Sequence, residues 1–137
     1  MTTWVKYAVA ILVLFFMGCS RPTPDQVKVF SSPVEGLSYV IEEYHGEAAM
    51  ASDTDRVVAH FERNGKNNEI VILAGENMTV KDIRWNSRDD VTLCFGSGIT
   101  YTFRNEVTFF NETSSINVRN HLDERCDDQG DVLPHGK

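Results

Sequence analysis

No window of this sequence holds a helical period for more than about two turns, and residues 50–58, the best candidate, fit one poorly. That excludes a helix bundle and the alternating strand–helix pattern of parallel α/β folds. Basic residues are also scarce. Thirteen Lys and Arg face 20 Asp and Glu, for a formal net charge of −7. Of all the charged residues only Lys6 precedes Cys19, and the basic ones beyond it are scattered singly. Nucleic acid and anionic lipid headgroups are recognised by basic patches, so this balance argues against both as partners. There is no glycine-rich phosphate loop, and no small-molecule substrate or cofactor is identifiable.

Nucleophilic hydrolysis needs a Ser or Cys with a base and an orienting acid. Ser97 in Gly96-Ser97-Gly98 lies between two strand-like runs, not at a strand-to-helix elbow. Asp89-Asp90 sits in a turn signal. No catalytic residue is assigned, and the chain is not expected to be an enzyme.

A length of 137 residues bounds the fold to one domain with one modest core. Cysteine is rare and odd in number: Cys19, Cys94 and Cys126. Cys19 follows an unbroken apolar run and is set aside as a modification site, which leaves Cys94 and Cys126 as a pair. In an exported chain an even remainder implies a disulfide. Closing so long a loop is worth about 3–4 kcal/mol by chain-entropy arithmetic. In a reducing compartment the two would be free thiols.

What is present at the start is more specific. Lys6 gives a positive head, residues 7–18 are uncharged and almost wholly apolar, and Cys19 is followed by the polar, proline-bearing run SRPTPD. This is the layout of a signal peptide. Twelve residues of helix reach about 18 Å, short of the roughly 30 Å hydrocarbon layer. Phe16-Met17-Gly18-Cys19 resembles the lipobox of bacterial lipoproteins, with Gly18 and Cys19 matching and Phe16 and Met17 departing from the usual leucine and small residue. The resemblance implies that residues 1–18 are removed and that Cys19 is lipidated. Ser20, where an aspartate would retain the protein in the inner membrane, implies the outer membrane, facing the periplasm. An uncleaved N-terminal anchor and ordinary signal cleavage remain alternatives. Three acyl chains would give effectively permanent attachment, since each buried methylene contributes about 0.8 kcal/mol.

Residues 19–33, with Pro22, Pro24 and Pro33, are expected to form a tether reaching up to roughly 40 Å. The alternation in residues 27–30 would let them dock as a short edge strand. From Gly36 onward the period is two, and β-branched and aromatic residues dominate. Expected strands cover residues 37–45, 56–63, 69–74, 80–85, 107–110 and 116–119. The apolar run at 70–74 is expected to be a central strand. VTLCF-GSG-ITYTF, residues 91–103, predicts a β-hairpin with Val91, Leu93, Phe95, Ile99, Tyr101 and Phe103 on one face. Cys94 then points away from the core, and its disulfide would hold the tail over the outer face of the sheet. Turn signals fall at Asn64-Gly65, Gly75-Glu76-Asn77 and residues 86–90.

The expected fold is all-β: a small antiparallel meander forming a sandwich or partly open barrel over residues 34–126, with an acidic flexible tail at 127–137. Residues 85–91 resemble the Trp-to-Asp turn of β-propeller blades, but the chain is too short for a propeller. The runs around residues 46–49, 56–58, 83–85, 91–93 and 99–105 are similar to a layout of small uncharacterised bacterial envelope proteins, a resemblance that implies no activity.

His60 and Glu62 share a strand face, and Glu43 and His45 from a neighbouring strand would complete a metal site. An ordinary solvated face is the preferred reading, and no metal ligand is assigned. Residues 126–131 have the carboxylate density of a calcium loop without its spacing. Of the adjacent Phe109 and Phe110 one must leave the main core, and burial under the disulfide-linked tail is expected for it. The functional expectation is a membrane-anchored lipoprotein presenting an acidic interaction domain to a protein partner. The alternative is an immunity, exclusion or inhibitor protein that blocks a basic toxin or a lysozyme-like enzyme.

Overall fold

The computed structural model describes residues 22–46 and 53–126. The apolar leader, Cys19 and the acidic tail at 127–137 lie outside the described residues. The described part is all-β, with seven strands: β1 (Gln26–Ser31), β2 (Leu37–Tyr44), β3 (Thr54–Arg63), β4 (Lys66–Ser87), β5 (Asp90–Phe103), β6 (Glu106–Phe110) and β7 (Ser115–Asp123). They form one mixed sheet in the order β1-β2-β3-β4-β5-β7-β6. The first five make the expected antiparallel meander. β7 then pairs with β5 in parallel, and β6 lies antiparallel to β7 at the far edge.

The long β4–β5 ladder lets one sheet enclose its own core. The first part of β4 pairs with β3, while the first part of β5 pairs with β7. Register shifts between residues 74 and 82 of β4 bend the ladder. The two halves then meet face to face. The Tyr39 ring lies edge-on to Trp85 with centroids 5.0 Å apart, and Phe61 lies edge-on to Phe109 at 5.2 Å. Tyr39 Oη donates to Asn120 Oδ1 at 2.8 Å, and Asn120 Nδ2 donates to the Arg104 carbonyl, so both polar groups are satisfied inside. The sheet is not closed into a barrel, and β1 and β6 are its edges.

Alternation explains the core. Leu37, Tyr39 and Ile41 of β2 point inward with Val57 and Ala59 of β3, Val91, Leu93 and Phe95 of β5, and Val118 of β7. The outer face carries a row of four directly opposed valines, Val29, Val40, Val58 and Val71. Val40 and Val58 are buried there, flanked by the Glu42–Arg56 row on one side and the Ser38–His60 row on the other.

Two local expectations are corrected. Residues 91–103 are not a hairpin but one continuous strand. Gly96-Ser97-Gly98 runs through the bend and not through a turn, and Ile99 and Tyr101 are exposed instead of joining the core. Gly75-Glu76-Asn77 likewise lies inside β4. A Cβ on Gly75 would sit 2.0 Å from the Ile99 carbonyl oxygen, and Gly98, at φ +116°, lies against the Met78 backbone. These glycines serve close backbone approach, a role that local sequence does not distinguish from turning. Over residues 53–58, the described part of the poor helical candidate, there is no helix: Thr54–Val58 are extended and pair across β2, in line with the strand expected from residue 56. Val27–Phe30 dock as the expected edge strand, within β1.

Candidate functional site

Cys94 and Cys126 lie at disulfide distance, with Cα atoms 5.4 Å apart. Cys94 sits on the outer face beside Leu93 and Phe95, which point inward, so the bond holds the end of β7 over that face as expected. Cys19 lies outside the described residues, as do residues 127–131 of the calcium-like run. The histidine and carboxylate set does not assemble. His45 stands past the end of β2, with Nδ1 3.5 Å from Asp53, whereas His60 faces Ser38 near the opposite end of that strand. Among the described residues no group of three or more His, Cys, Asp or Glu is placed to hold a metal ion.

The two ends of the folded sheet differ in how their carboxylates are used. At the end where the chain enters, acids are consumed by the fold. Asp25 accepts the His45 amide at 2.7 Å, and its own amide donates to the Glu43 carbonyl, which fixes the chain to β2 just before β1. Glu43 pairs with Lys28, and Asp53 accepts from the Gly46 amide. The Glu43 carboxylate holds the Lys28 ammonium above its ordinary value. Asp55 accepts the Val80 amide at 2.7 Å, which pins the bend of β4. Burial raises its carboxyl pKa, and the Val80 hydrogen bond only partly offsets this.

Glu42 is the deepest of these acids at 8% exposure. Its Oε2 accepts from Arg56 Nε and Nη2 at 2.8 and 2.5 Å and from Tyr44 Oη at 2.8 Å. Burial opposes the Arg56 charge, but the Glu42 carboxylate outweighs it and holds the guanidinium above its ordinary value. Arg56 also lies over the Tyr44 ring at 5.4 Å.

At the opposite end the loops frame an open cleft of about 510 Å³. The β1–β2 turn contributes Val34 and Glu35, the start of β2 Leu37, β3 Phe61 and Glu62, the β4–β5 turn Arg88 and Asp89, and the β6–β7 hairpin residues 109–117 in part. Leu37 and Phe109 are buried in the floor, and Phe61 is partly buried beside them. Phe110 is 51% exposed, with Arg63 over its ring at 5.9 Å. The described end of the chain, up to Cys126, therefore does not bury it. β6 is an edge strand, and the Cys126 segment is tied to β5 on the other side of β7.

Glu35 and Glu62 are exposed at the rim and make no ion pair or side-chain hydrogen bond among the described residues. Asp89 accepts from Ser87 Oγ at 2.8 Å. Asp90, just beyond, is different again. Hydrogen bonds from Asn86 and from His121 Nε2 hold its carboxyl below the ordinary value of 3.8.

Sequence reasoning did not find this cleft, because Glu35 and Asp89 lie in two separate turns and Glu62 near the end of β3, which only the folded sheet gathers. Comparison with family models, with curated proteins and with solved structures gave no match.

Proposed function

We propose that the protein is an envelope lipoprotein, anchored through acyl chains on Cys19, that presents an acidic β domain as an interaction module at the outer membrane facing the periplasm. The observation that supports this most is where the chain enters the fold. Asp25 is bonded into the end of β2, so about six peptide steps separate Cys19 from the folded sheet, roughly 20 Å at full extension. A short tether at one end and an open cleft at the other make a display arrangement. Lipid insertion needs nothing from the domain, which carries net negative charge and would gain nothing from anionic headgroups.

The free carboxylates at the cleft rim favour one second reading: an inhibitor or immunity protein that blocks a basic toxin or a lysozyme-like enzyme. Mass spectrometry of the membrane-extracted protein tests the anchoring. The expected product begins at an acylated Cys19, and Cys19→Ala leaves the membrane fraction. An unmodified chain that still carries residues 1–18 would overturn it. For the second reading, the expected result is loss of lysozyme activity at stoichiometric protein. Undiminished activity at large excess would reject lysozyme as the target.

A further inference from the structure

We infer that the cleft between the β1–β2, β4–β5 and β6–β7 turns is the partner-binding surface, and that its occupant is a protruding protein segment bearing lysine or arginine beside an aliphatic side chain. This rests on the reading above that the domain is an interaction module. Three observations carry it.

The first is shape and chemistry. A volume of about 510 Å³ falls within the range that encloses a small ligand or a few side chains. The floor of Leu37, Phe61 and Phe109 offers apolar contact, which a simple cation or a polyamine would not use.

The second is charge. Among the described lining residues Glu35, Glu62 and Asp89 outnumber the one cation, Arg88, and Arg63 stands beside them over the Phe110 ring. At the entry end the acids Asp25, Glu42, Glu43 and Asp55 are satisfied by Arg56, Lys28 or backbone amides. Glu35 and Glu62 have no such partner among the described residues, so they are hydrated and free to pair with an incoming cation. Rim charges of this kind set encounter rate and partner choice.

The third is position. The cleft opens at the end of β2 opposite Asp25, where the chain leaves toward Cys19. A lipid-anchored domain held this way directs the cleft outward from the bilayer, toward a soluble partner.

The test uses the full chain, 15N-labelled, in phosphatidylcholine nanodiscs, with two capped pentapeptides as probes, Gly-Lys-Leu-Lys-Gly and Gly-Glu-Leu-Glu-Gly. The lysine peptide is expected to shift the amides of Gly36, Glu62 and Asp89 with a dissociation constant of roughly 1 mM or below. The glutamate peptide should bind at least about tenfold more weakly. The double substitution Glu35→Lys with Glu62→Lys should weaken the lysine peptide at least about tenfold, and raised salt should weaken it too. Glu35→Gln with Glu62→Gln gives a milder change that keeps the fold. No cleft shifts at about 5 mM peptide, equal binding of both peptides, or shifts confined to Val27 and Val29 on the β1 edge would each overturn the proposal. Cys19→Ala is expected to leave peptide binding unchanged. Failure of the anchoring therefore shows in the mass of the mature chain, and failure of the cleft shows in the amide shifts.

Discussion

The end of the sheet where the chain enters and the end with the cleft are both acidic, yet their carboxylates do opposite work. At the first, Asp25, Glu42, Glu43 and Asp55 are each bonded to an amide, an arginine or a lysine. At the second, Glu35 and Glu62 face solvent without a partner among the described residues. Net charge alone hides this difference. A carboxylate bonded within its own fold is committed to that partner, and removing it strands the partner, whereas a hydrated one retains its capacity to bind. The division between a structural end and a recognition end is therefore readable from hydrogen-bond partners.

The Cys94–Cys126 bond belongs to neither end and sets the scale for effects on the whole fold. Its sequence separation of 32 implies about 3–4 kcal/mol from chain entropy. Replacing both cysteines by alanine, or reducing the bond, should lower the unfolding free energy by that much, read as a lower midpoint in urea unfolding. An unchanged midpoint would mean that β7 holds its place without the bond.

Next in size is the entry end. Glu42→Gln removes the charge partner of Arg56 in a nearly buried site and is expected to cost about 2–3 kcal/mol. Asp55→Asn should cost less, about 1 kcal/mol, because the Val80 amide retains an acceptor. If either variant melted with the wild type, the claim that this end is structural would fail.

Asp90 refines the contrast, since it lies near the cleft end yet is paired. Its folded carboxyl titrates below 3.8 through Asn86 and His121. The folded state thus binds its proton less readily than the unfolded chain. The associated stability is present above pH 3.8 and is lost as pH falls through the lower folded value. Thermal melts between about pH 5 and pH 2 should show a shallower acid loss in Asp90→Asn than in wild type. Parallel curves would remove Asp90 as a contributor.

Much of the sheet was legible from alternation alone. β2, β3, β6 and β7 fall where period-two patterns of Leu, Val, Ile and Phe place them, and Asn64-Gly65 turns the chain with both residues at positive φ. The pairing of Cys94 with Cys126 followed from the even remainder once Cys19 is set aside, and its place on the outer face from the parity of Cys94 against Leu93 and Phe95. The bend was not legible. GSG between two strand-like runs is the usual mark of a hairpin, and nothing local says that Gly98 must instead clear the Met78 backbone. The parallel β5–β7 pairing was equally hidden, because register between distant strands is fixed by packing and not by pattern. The candidate site was the least legible part. Carboxylates in two turns and near the end of β3 have no shared sequence signal, and the significance of Glu35 and Glu62 lies in what does not bond to them among the described residues.

The smallest expected effect tests the central claim most directly: thermal unfolding of Glu35→Gln with Glu62→Gln beside Glu42→Gln. The rim variant is expected to melt with wild type, within about 0.5 kcal/mol, while Glu42→Gln melts roughly 10 °C lower. Equal losses in the two variants would contradict the account, because the cleft carboxylates would then be holding the fold and not waiting for a partner.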